Sequence, residues 1–350
     1  MALLINPHRG VGLPDLWDAE PVLPATDAGA VAALLARCPA AAETPLLDAP
    51  GLAAQAGVAH LHLKDETGRM GLGSFKALGA AYAIARQADA AGGDAAIALN
   101  GRCFIAASAG NHGLSVAVGA RMFGARAVIV LAESVPESFA DRLRGKGAEV
   151  VRAGAIYEDS MAEAMRLADA NGWTLLSDSS WPGYTDLPFR VMEGYLQMAA
   201  EAGRQMPEPP SHIFLQAGVG GLAAAVAGYA RRIWGDAPRI VVVEPEAAPA
   251  LFESVRAGRV VTTKGPVSDM GRLDCKEPSL IALAGLARDA DAFLAIGEAA
   301  AHEAVSQLAG IGISTTPSGA AGVAGLFAPG LGMSPDARVL AIISETGETA

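Results

Sequence analysis

The chain has little of what several protein classes require. Its 350 residues include three cysteines, Cys38, Cys103 and Cys275, which are scattered and show no CxxC spacing. This pattern argues against a zinc site or a disulfide framework and favours a reducing compartment, so we expect a cytoplasmic protein. No uncharged apolar run reaches the roughly 18 residues of a membrane span, and the N-terminus lacks a basic-then-apolar signal layout. We therefore expect a soluble protein with no membrane partner.

Positive charge is scarce as well. The formal net charge is −11 at pH 7, and no run of basic residues is present. This balance argues against nucleic acid and anionic membranes as partners, so we expect small substrates. Aromatic residues make up only 5% of the chain, whereas hydrophobic residues make up 51% and 41 residues are glycine. Such a composition favours a well-buried α/β protein with tight strand-to-helix turns.

From about residue 59 onward, predicted strands alternate with predicted helices. This alternation predicts parallel sheets covered by helices on both faces. Residues 186–202 have helical spacing throughout and predict a single helix. The residues before about 58 are rich in Pro and Ala and predict a packed N-terminal extension with one helix at 27–37. The main predicted strands are 59–63, 103–108, 127–132, 149–152, 173–177, 212–216, 239–243, 292–296 and 339–343.

One lysine stands at the start of a predicted helix. Ser74 is a plausible N-cap, which places Lys76 in the first turn, and the chain then runs apolar for nine residues to Ala85. Loss of water and the positive end of a helix both disfavour an ammonium, so we expect a lowered pKa for Lys76. A neutral lysine amine is a nucleophile able to form a Schiff base. A surface lysine with a buried stem is the ordinary alternative.

A second segment lies where a predicted strand gives way to a helix, at Ser108-Ala109-Gly110-Asn111-His112. Strand ends of this kind line ligand crevices in open α/β sheets. We expect Ser108 and the following backbone amides to bind a substrate carboxylate, and Asn111 to offer its amide to a ring hydroxylate. An ordinary turn capped by Asn111 is the alternative. His112 taken alone is more typical of a structural residue.

A glycine-rich loop, Gly218-Val219-Gly220-Gly221, follows an apolar strand and opens an apolar helix. This is the context in which backbone amides bind a phosphate at a helix N-terminus. The loop together with Ala223 also satisfies the G-x-G-x-x-G/A dinucleotide fingerprint, and Glu244 lies 26 residues after Gly218, roughly where a ribose-binding acid belongs. An NAD-dependent oxidoreductase is therefore an alternative, although it leaves Lys76 and Asn111 without a role.

Together these segments resemble the pyridoxal-phosphate enzymes of fold type II, the tryptophan-synthase β-like group, and within it the diaminopropionate ammonia-lyases. The likeness extends over about residues 61–347, and a late segment at 317–322 looks like a turn of that family. The segment from Asp178 to Tyr184 is the most discriminating. The stretches that carry the resemblance are 73–83, 110–113, 178–184 and 214–220.

The resemblance implies an α/β fold of two doubly wound domains with parallel sheets. A large cofactor-binding domain would comprise residues 1–75 and 190–350, and a small domain residues 76–189. It implies a homodimer that catalyses β-elimination from a small amino acid such as 2,3-diaminopropionate, giving a 2-oxo acid and ammonia. A serine or threonine dehydratase of the same fold is one alternative, and a non-catalytic binding protein on this fold is another.

The resemblance also implies site residues. Pyridoxal phosphate would be held covalently by Lys76, with Asp178 near the amino groups of the substrate, where an aspartate that caps a turn is the alternative. The pyridine nitrogen would face Ser344, with Glu345 and Thr346 as alternatives. Residues that would contact the ring and the phosphate are Asn111, Gly218, Val219, Gly220 and Gly221, and those that would hold the substrate are Ser108, Ala109, Gly110 and His112.

One position departs from the family pattern. Members usually carry an aspartate just before Gly110, and this chain has Ala109. The resemblance implies that the family uses the lysine on one face of the substrate and that aspartate on the other to accept the α-proton. A methyl group cannot accept a proton, so we predict selectivity for the L-enantiomer. The alternative is that Asp178, the one nearby carboxylate, compensates for the missing base.

Overall fold

The structure is a computed structural model that describes residues 1–17 and 21–347. Within those residues, a seven-stranded sheet and a four-stranded sheet are formed. The strands are β1 Ala2–Ile5, β2 Leu46–Asp48, β3 His60–Asp65, β4 Cys103–Ala107, β5 Arg126–Leu131, β6 Glu149–Arg152, β7 Thr174–Leu175, β8 His212–Gln216, β9 Arg239–Pro245, β10 Ala292–Ile296 and β11 Arg338–Ile343.

Helices cover these sheets and connect consecutive strands. Their apolar faces pack on the sheets. Strands β3, β4, β5, β8, β9, β10 and β11 are mostly buried, whereas β1, β2, β6 and β7 are partly exposed. No helix among the described residues is long and apolar enough to cross a membrane. The helices are α1 Gly29–Leu35, α2 Pro50–Ala56, α3 Lys76–Ala91, α4 Asn111–Met122, α5 Glu137–Gly145, α6 Tyr157–Asn171, α7 Asp186–Gly194, α8 Leu196–Gln205, α9 Gly221–Trp234, α10 Ala250–Ala257, α11 Leu280–Asp289, α12 Glu298–Ala309 and α13 Pro317–Leu326.

The larger sheet has the strand order β1-β10-β9-β8-β11-β3-β2 and the smaller one the order β6-β5-β4-β7. The central strands of the larger sheet and all strands of the smaller one pair in parallel, which confirms the predicted α/β architecture. The two edge strands β1 and β2 pair antiparallel. Both come from the N-terminal extension, for which only a helix was predicted, because strands of three or four residues show little periodicity.

Two predicted elements differ from the structure. Residues 186–202 form the two helices α7 and α8 with Tyr195 at their junction, not one helix. Residues 317–322 begin the helix α13 and are not a turn. Pro317 occupies the first helical position, where proline is favoured, and the Thr316 side chain caps the helix by accepting from Gly319 N. The proline and glycines therefore mark a helix start that packs closely on the sheet.

The strand order brings the site loops together. β3 pairs with β11, and β11 pairs with β8, so the loops that follow these three parallel strands leave the same edge of the sheet. The loop after β3 leads to Lys76, the loop after β8 is the glycine-rich loop, and Ser344 follows β11. Such a carboxyl edge is where open α/β sheets bind ligands. The smaller sheet supplies Ser108 after β4.

Candidate active site

Lys76 is the first residue of α3, and its ammonium is paired with Asp178. Nζ donates to Asp178 Oδ2, and the two side chains are 21% and 16% exposed. Burial alone would lower the lysine pKa, but the carboxylate of Asp178 outweighs it and raises that pKa above its usual value. Burial likewise opposes ionisation of Asp178, yet Lys76 holds the pKa of that carboxyl well below its usual range. The predicted lowering of the Lys76 pKa is therefore wrong in this structure.

The turn that carries Lys76 is attached to the end of β11. Phe75 N donates to Ser344 O, and Thr346 N donates to Gly73 O. Gly73 has a φ of +78°, and a Cβ there would lie 2.8 Å from Thr346 Cγ2, so this close approach requires glycine. Ser74 is not the N-cap residue, which is Phe75, but its hydroxyl accepts from Lys76 N at 3.3 Å.

A fully buried network of charged side chains holds the loop between β3 and α3. Arg69 donates to both carboxylate oxygens of Glu66 and of Glu201, and Lys64 Nζ lies 2.9 Å from Glu201 Oε2. Burial would raise the pKa of Glu201, but Arg69 and Lys64 lower it to about 2. Each buried charge is therefore compensated, as a stable interior requires. The network anchors the lysine turn to α8, and the sequence analysis did not predict it.

The Ser108 hydroxyl accepts from Gly110 N at 3.2 Å and from Gly113 N at 3.1 Å, so it caps the start of α4. Ala109 at the tip of this loop is exposed. His112 is buried, and its Nε2 lies 2.8 Å from Leu176 O. Burial lowers the His112 pKa, which favours a neutral ring. This ring supports the loop from inside, and its predicted contact with the substrate stays a prediction.

Asn111 faces the carboxylate of Glu345, a residue that was considered above as a partner for the pyridine nitrogen. Asn111 Nδ2 donates to Glu345 Oε2, and Thr316 Oγ1 donates to Glu345 Oε1. Arg272 Nε lies 3.8 Å from Glu345 Oε2. Because one amide hydrogen of Asn111 goes to Glu345, the orientation of the amide is set and its second hydrogen is available to a ligand.

The glycine-rich loop stands at the N-terminus of α9. Gly220 has a φ of +101°, and a Cβ there would lie 2.9 Å from Ala282 Cβ. Within residues 1–17 and 21–347, the amides of Gly220 and Gly221 donate to no protein acceptor. Free amides at the start of a 14-residue helix are suited to an anion such as a phosphate. The loop therefore has the donors that the sequence analysis predicted.

Glu244 is buried and caps α10. Its carboxylate accepts from Leu251 N at 2.7 Å and from Phe252 N at 2.8 Å. Burial raises the pKa of Glu244 to about 8, although these two hydrogen bonds oppose the shift. Because this carboxylate is fully buried and holds the start of α10, it is not accessible to a ribose hydroxyl, and the dinucleotide alternative loses the acidic residue on which it depends.

Tyr195, at the junction of α7 and α8, is a site residue that the sequence analysis missed. Its ring packs edge-on against Phe75 with centroids 4.8 Å apart, and it lies beside Gly79 and Gly221. Its hydroxyl is buried and has no hydrogen-bond partner among the described residues. A buried hydroxyl without a partner is costly, so this one is suited to bond a polar group of a ligand. No sequence signal pointed to it, because the helical spacing over 186–202 predicted one continuous helix.

These residues fit pyridoxal phosphate. The amides of Gly220 and Gly221 suit its phosphate, the ring of Tyr195, whose hydroxyl has no partner among the described residues, lies beside Gly221, and Lys76 offers an amine for its aldehyde. Asn111 has an amide hydrogen to offer its ring oxygen. The site therefore offers a donor for the phosphate, a donor for the ring oxygen and an amine for the aldehyde of this cofactor.

Comparison with known proteins agrees with this geometry. A family model described as "Pyridoxal-phosphate dependent enzyme" matches residues 38–345. The diaminopropionate ammonia-lyase of Salmonella typhimurium is 35% identical over 267 residues, which cover 70% of this chain and 66% of that enzyme, slightly under two thirds of its length.

Solved structures are similar over almost the whole chain. The Escherichia coli diaminopropionate ammonia lyase in complex with an aminoacrylate-PLP azomethine reaction intermediate superposes with a TM-score of 0.88 at 29% identity, covering 99% of this chain and 93% of that one. The same enzyme in complex with D-serine gives a TM-score of 0.87 at 27% identity, with the same coverage.

Proposed function

The chain belongs to the family of pyridoxal-phosphate dependent enzymes, and we propose that it catalyses β-elimination from a small amino acid such as 2,3-diaminopropionate. With water as the second reactant, the products are pyruvate and two molecules of ammonia. The observation that carries this proposal is the pairing of Lys76 with Asp178 near a glycine-rich loop whose amides suit a phosphate. The similarity to diaminopropionate ammonia-lyases supports the choice of substrate.

Lys76 would hold the cofactor covalently, the amides of residues 218–221 would bind its phosphate, and Asn111 would donate to its ring oxygen. When bound, pyridoxal phosphate withdraws electrons from the α-carbon of the substrate and so weakens the α-C–H bond. For the pyridine nitrogen we propose the hydroxyl of Ser344. In support, the Glu345 carboxylate accepts from Asn111 and Thr316, and the Thr346 methyl packs on Gly73.

Lys76 is the proposed general base for the α-proton. Its amine must be neutral before it accepts that proton, and the ammonium that then forms is the species that Asp178 stabilises. The pair with Asp178 thus favours the completed proton transfer. Ser108 accepts two backbone N–H groups, which leaves its own hydrogen to donate to the substrate carboxylate. Ala109 and Gly110 would contribute backbone contacts to the same carboxylate.

Product analysis tests this function. We expect one 2-oxo acid and two ammonia molecules for each diaminopropionate consumed, and we expect the apo-protein to bind pyridoxal phosphate but not NAD in calorimetric titration. A higher kcat/KM for L-serine, with one ammonia for each 2-oxo acid, would instead identify a dehydratase of the same fold. Tight NAD binding without pyridoxal phosphate binding would overturn the family-based reading of the glycine-rich loop.

Tyr195→Phe should change stability and cofactor affinity in opposite directions. Removing a buried hydroxyl that lacks a partner relieves a desolvation penalty of about 1–3 kcal/mol, so the apo-protein is expected to melt at a higher temperature. The same change removes a hydrogen bond to the bound cofactor, worth about 1 kcal/mol, so the Kd for pyridoxal phosphate should rise about fivefold. Calorimetric melting of the apo-protein and titration with the cofactor measure both; an unchanged Kd would remove Tyr195 from the cofactor site.

We further propose a cytoplasmic homodimer whose small domain comprises residues 76–189 and whose large domain comprises 1–75 and 190–350. The three cysteines are free thiols, which is consistent with a reducing compartment. The division of strands β4 to β7 into their own sheet supports the domain assignment. Light scattering after size-exclusion chromatography tests the dimer.

A further inference from the structure

The helix α11 receives its N-terminal cap from a distant segment. Ser279 is its N-cap residue, but the Ser279 hydroxyl does not cap the helix. Instead, Ser180 Oγ accepts from Ile281 N at 2.9 Å, and Ser180 O accepts from Leu280 N at 2.9 Å. Ser180 follows β7 of the smaller sheet, whereas α11 packs on α9 and lies in the connection between β9 and β10 of the larger sheet. Ser180, which follows a strand of the smaller sheet, thus accepts from the first backbone amides of α11, a helix that connects strands of the larger sheet.

The Ser279 hydroxyl completes this contact. It accepts from Ser180 N at 3.0 Å and lies 2.7 Å from Ser180 Oγ. Both serines are buried, at 0% and 3% exposure for Ser279 and Ser180. We call these two residues the serine clamp. Since water is excluded, the loss of either hydroxyl would leave a buried partner unsatisfied.

Ser279 also contacts the proposed phosphate loop. Its backbone N–H donates to Val219 O at 3.0 Å. One residue is therefore bonded on one side to the glycine-rich loop and on the other to Ser180, two residues after Asp178. On the opposite side of Asp178, Ser177 N donates to Tyr184 OH at 3.1 Å. The backbone that carries Asp178 is consequently held at both ends.

Lys76 and Asp178 are carried by different sheets. The Lys76 turn is attached to β11 of the larger sheet through Phe75 N and Ser344 O. Asp178 follows β7 of the smaller sheet and is joined to the larger one by the clamp. Without the clamp, the position of the Asp178 carboxylate would follow the smaller sheet and not the loops that surround Lys76.

We propose that the serine clamp is a positioning device that holds Asp178 against the nitrogen of Lys76 and ties that position to the glycine-rich loop. The inference rests on the proposed roles of Lys76 and Asp178. The hydroxyls of Ser180 and Ser279 are bonded to each other and to backbone amides, so the two residues would act through Asp178.

The test is the pH titration of the visible absorbance of protein loaded with pyridoxal phosphate, with Ser279→Ala and Asp178→Asn singly and combined. Asp178 stabilises the protonated form of the nitrogen, so each single variant should move the midpoint to lower pH, by about one unit for Ser279→Ala. The combined variant should move no further than Asp178→Asn, because the clamp acts through that carboxylate. A displacement of the carboxylate of about 1 Å should also lower kcat about 100-fold.

Two matched variants separate positioning from general damage. Ser279→Thr keeps the hydroxyl and should restore the wild-type midpoint. Ser254→Ala removes another fully buried serine, whose hydroxyl accepts from Val261 N at 2.9 Å, and should leave the midpoint unchanged. If Ser279→Ala does not fold, Ser279→Cys replaces it. The cysteine nearly keeps the volume of the side chain and weakens its hydrogen bonds, so we expect the same shift of the titration midpoint.

A wild-type midpoint in folded Ser279→Ala, or additive shifts in the combined variant, would overturn the clamp proposal. These absorbance measurements need no turnover. They therefore stay informative if the protein releases no 2-oxo acid, a result that would contradict the proposed function and not the clamp.

Discussion

Lys76→Ala is expected to abolish turnover and the covalent attachment of pyridoxal phosphate while leaving the fold intact. The variant loses the nucleophile and also the general base, and loss of the base alone is typically worth about 10²–10⁴-fold. The side chain is 21% exposed and is not part of the hydrophobic core, so its loss leaves no large cavity. It does leave Asp178 without its cation. The double variant Lys76→Ala/Asp178→Asn removes that uncompensated charge and should recover whatever stability the single variant loses.

Peptide mapping after borohydride reduction measures the attachment. We expect a single pyridoxyl-modified peptide, with the modification on Lys76. Lys64 is fully buried and bonded to Thr44 O, Gln205 and Glu201, so it cannot compete. Lys264→Ala changes an exposed lysine and is the matched control, with wild-type attachment and rate. A modified peptide carrying any other lysine would show that Lys76 is not the attachment site.

The L-enantiomer of an accepted substrate should be eliminated at least about 10²-fold faster than the D-enantiomer. General-base catalysis is worth about 10²–10⁴-fold, and this chain has a base on only one face of the proposed site. By the family resemblance, the other face would meet the methyl group of Ala109, which lies at an exposed loop tip. The carboxylate of Asp178 is paired with Lys76 and thus lies on the side of that residue. The E. coli relative, by contrast, has been crystallised with D-serine.

Release of 2-oxo acid from each enantiomer of diaminopropionate and of serine measures the selectivity. Ala109→Asp should raise the rate on the D-enantiomer at least about tenfold, because it supplies a carboxylate where the base is missing. Ala109→Asn has nearly the same shape without a base and should give no such gain. Comparable wild-type rates on the two enantiomers of an accepted substrate would contradict the argument.

The segments of the site were predictable from the sequence because each depends on short-range pattern. Lys76 follows a strand and opens a helix, and Gly220 adopts a φ of +101° at a strand-to-helix turn where glycine is favoured. Strand ends, helix starts and glycine turns involve neighbours within a few residues, which periodicity and turn chemistry report directly. The parallel sheets were predictable for the same reason. The short edge strands β1 and β2 were missed because three or four residues carry too little pattern.

By itself, then, the sequence determined which residues are available for chemistry, and the tertiary structure decided what they contact. Asp178 lies 102 residues from Lys76 along the chain, and their pairing reverses the predicted direction of the lysine pKa shift. Glu345 reaches Asn111 across 234 residues, and Ser279 reaches Ser180 across 99. The local sequence pattern does not report which residues meet when they are so far apart along the chain. Electrostatic and hydrogen-bond energies depend steeply on separation in space and on burial, which only the folded chain defines.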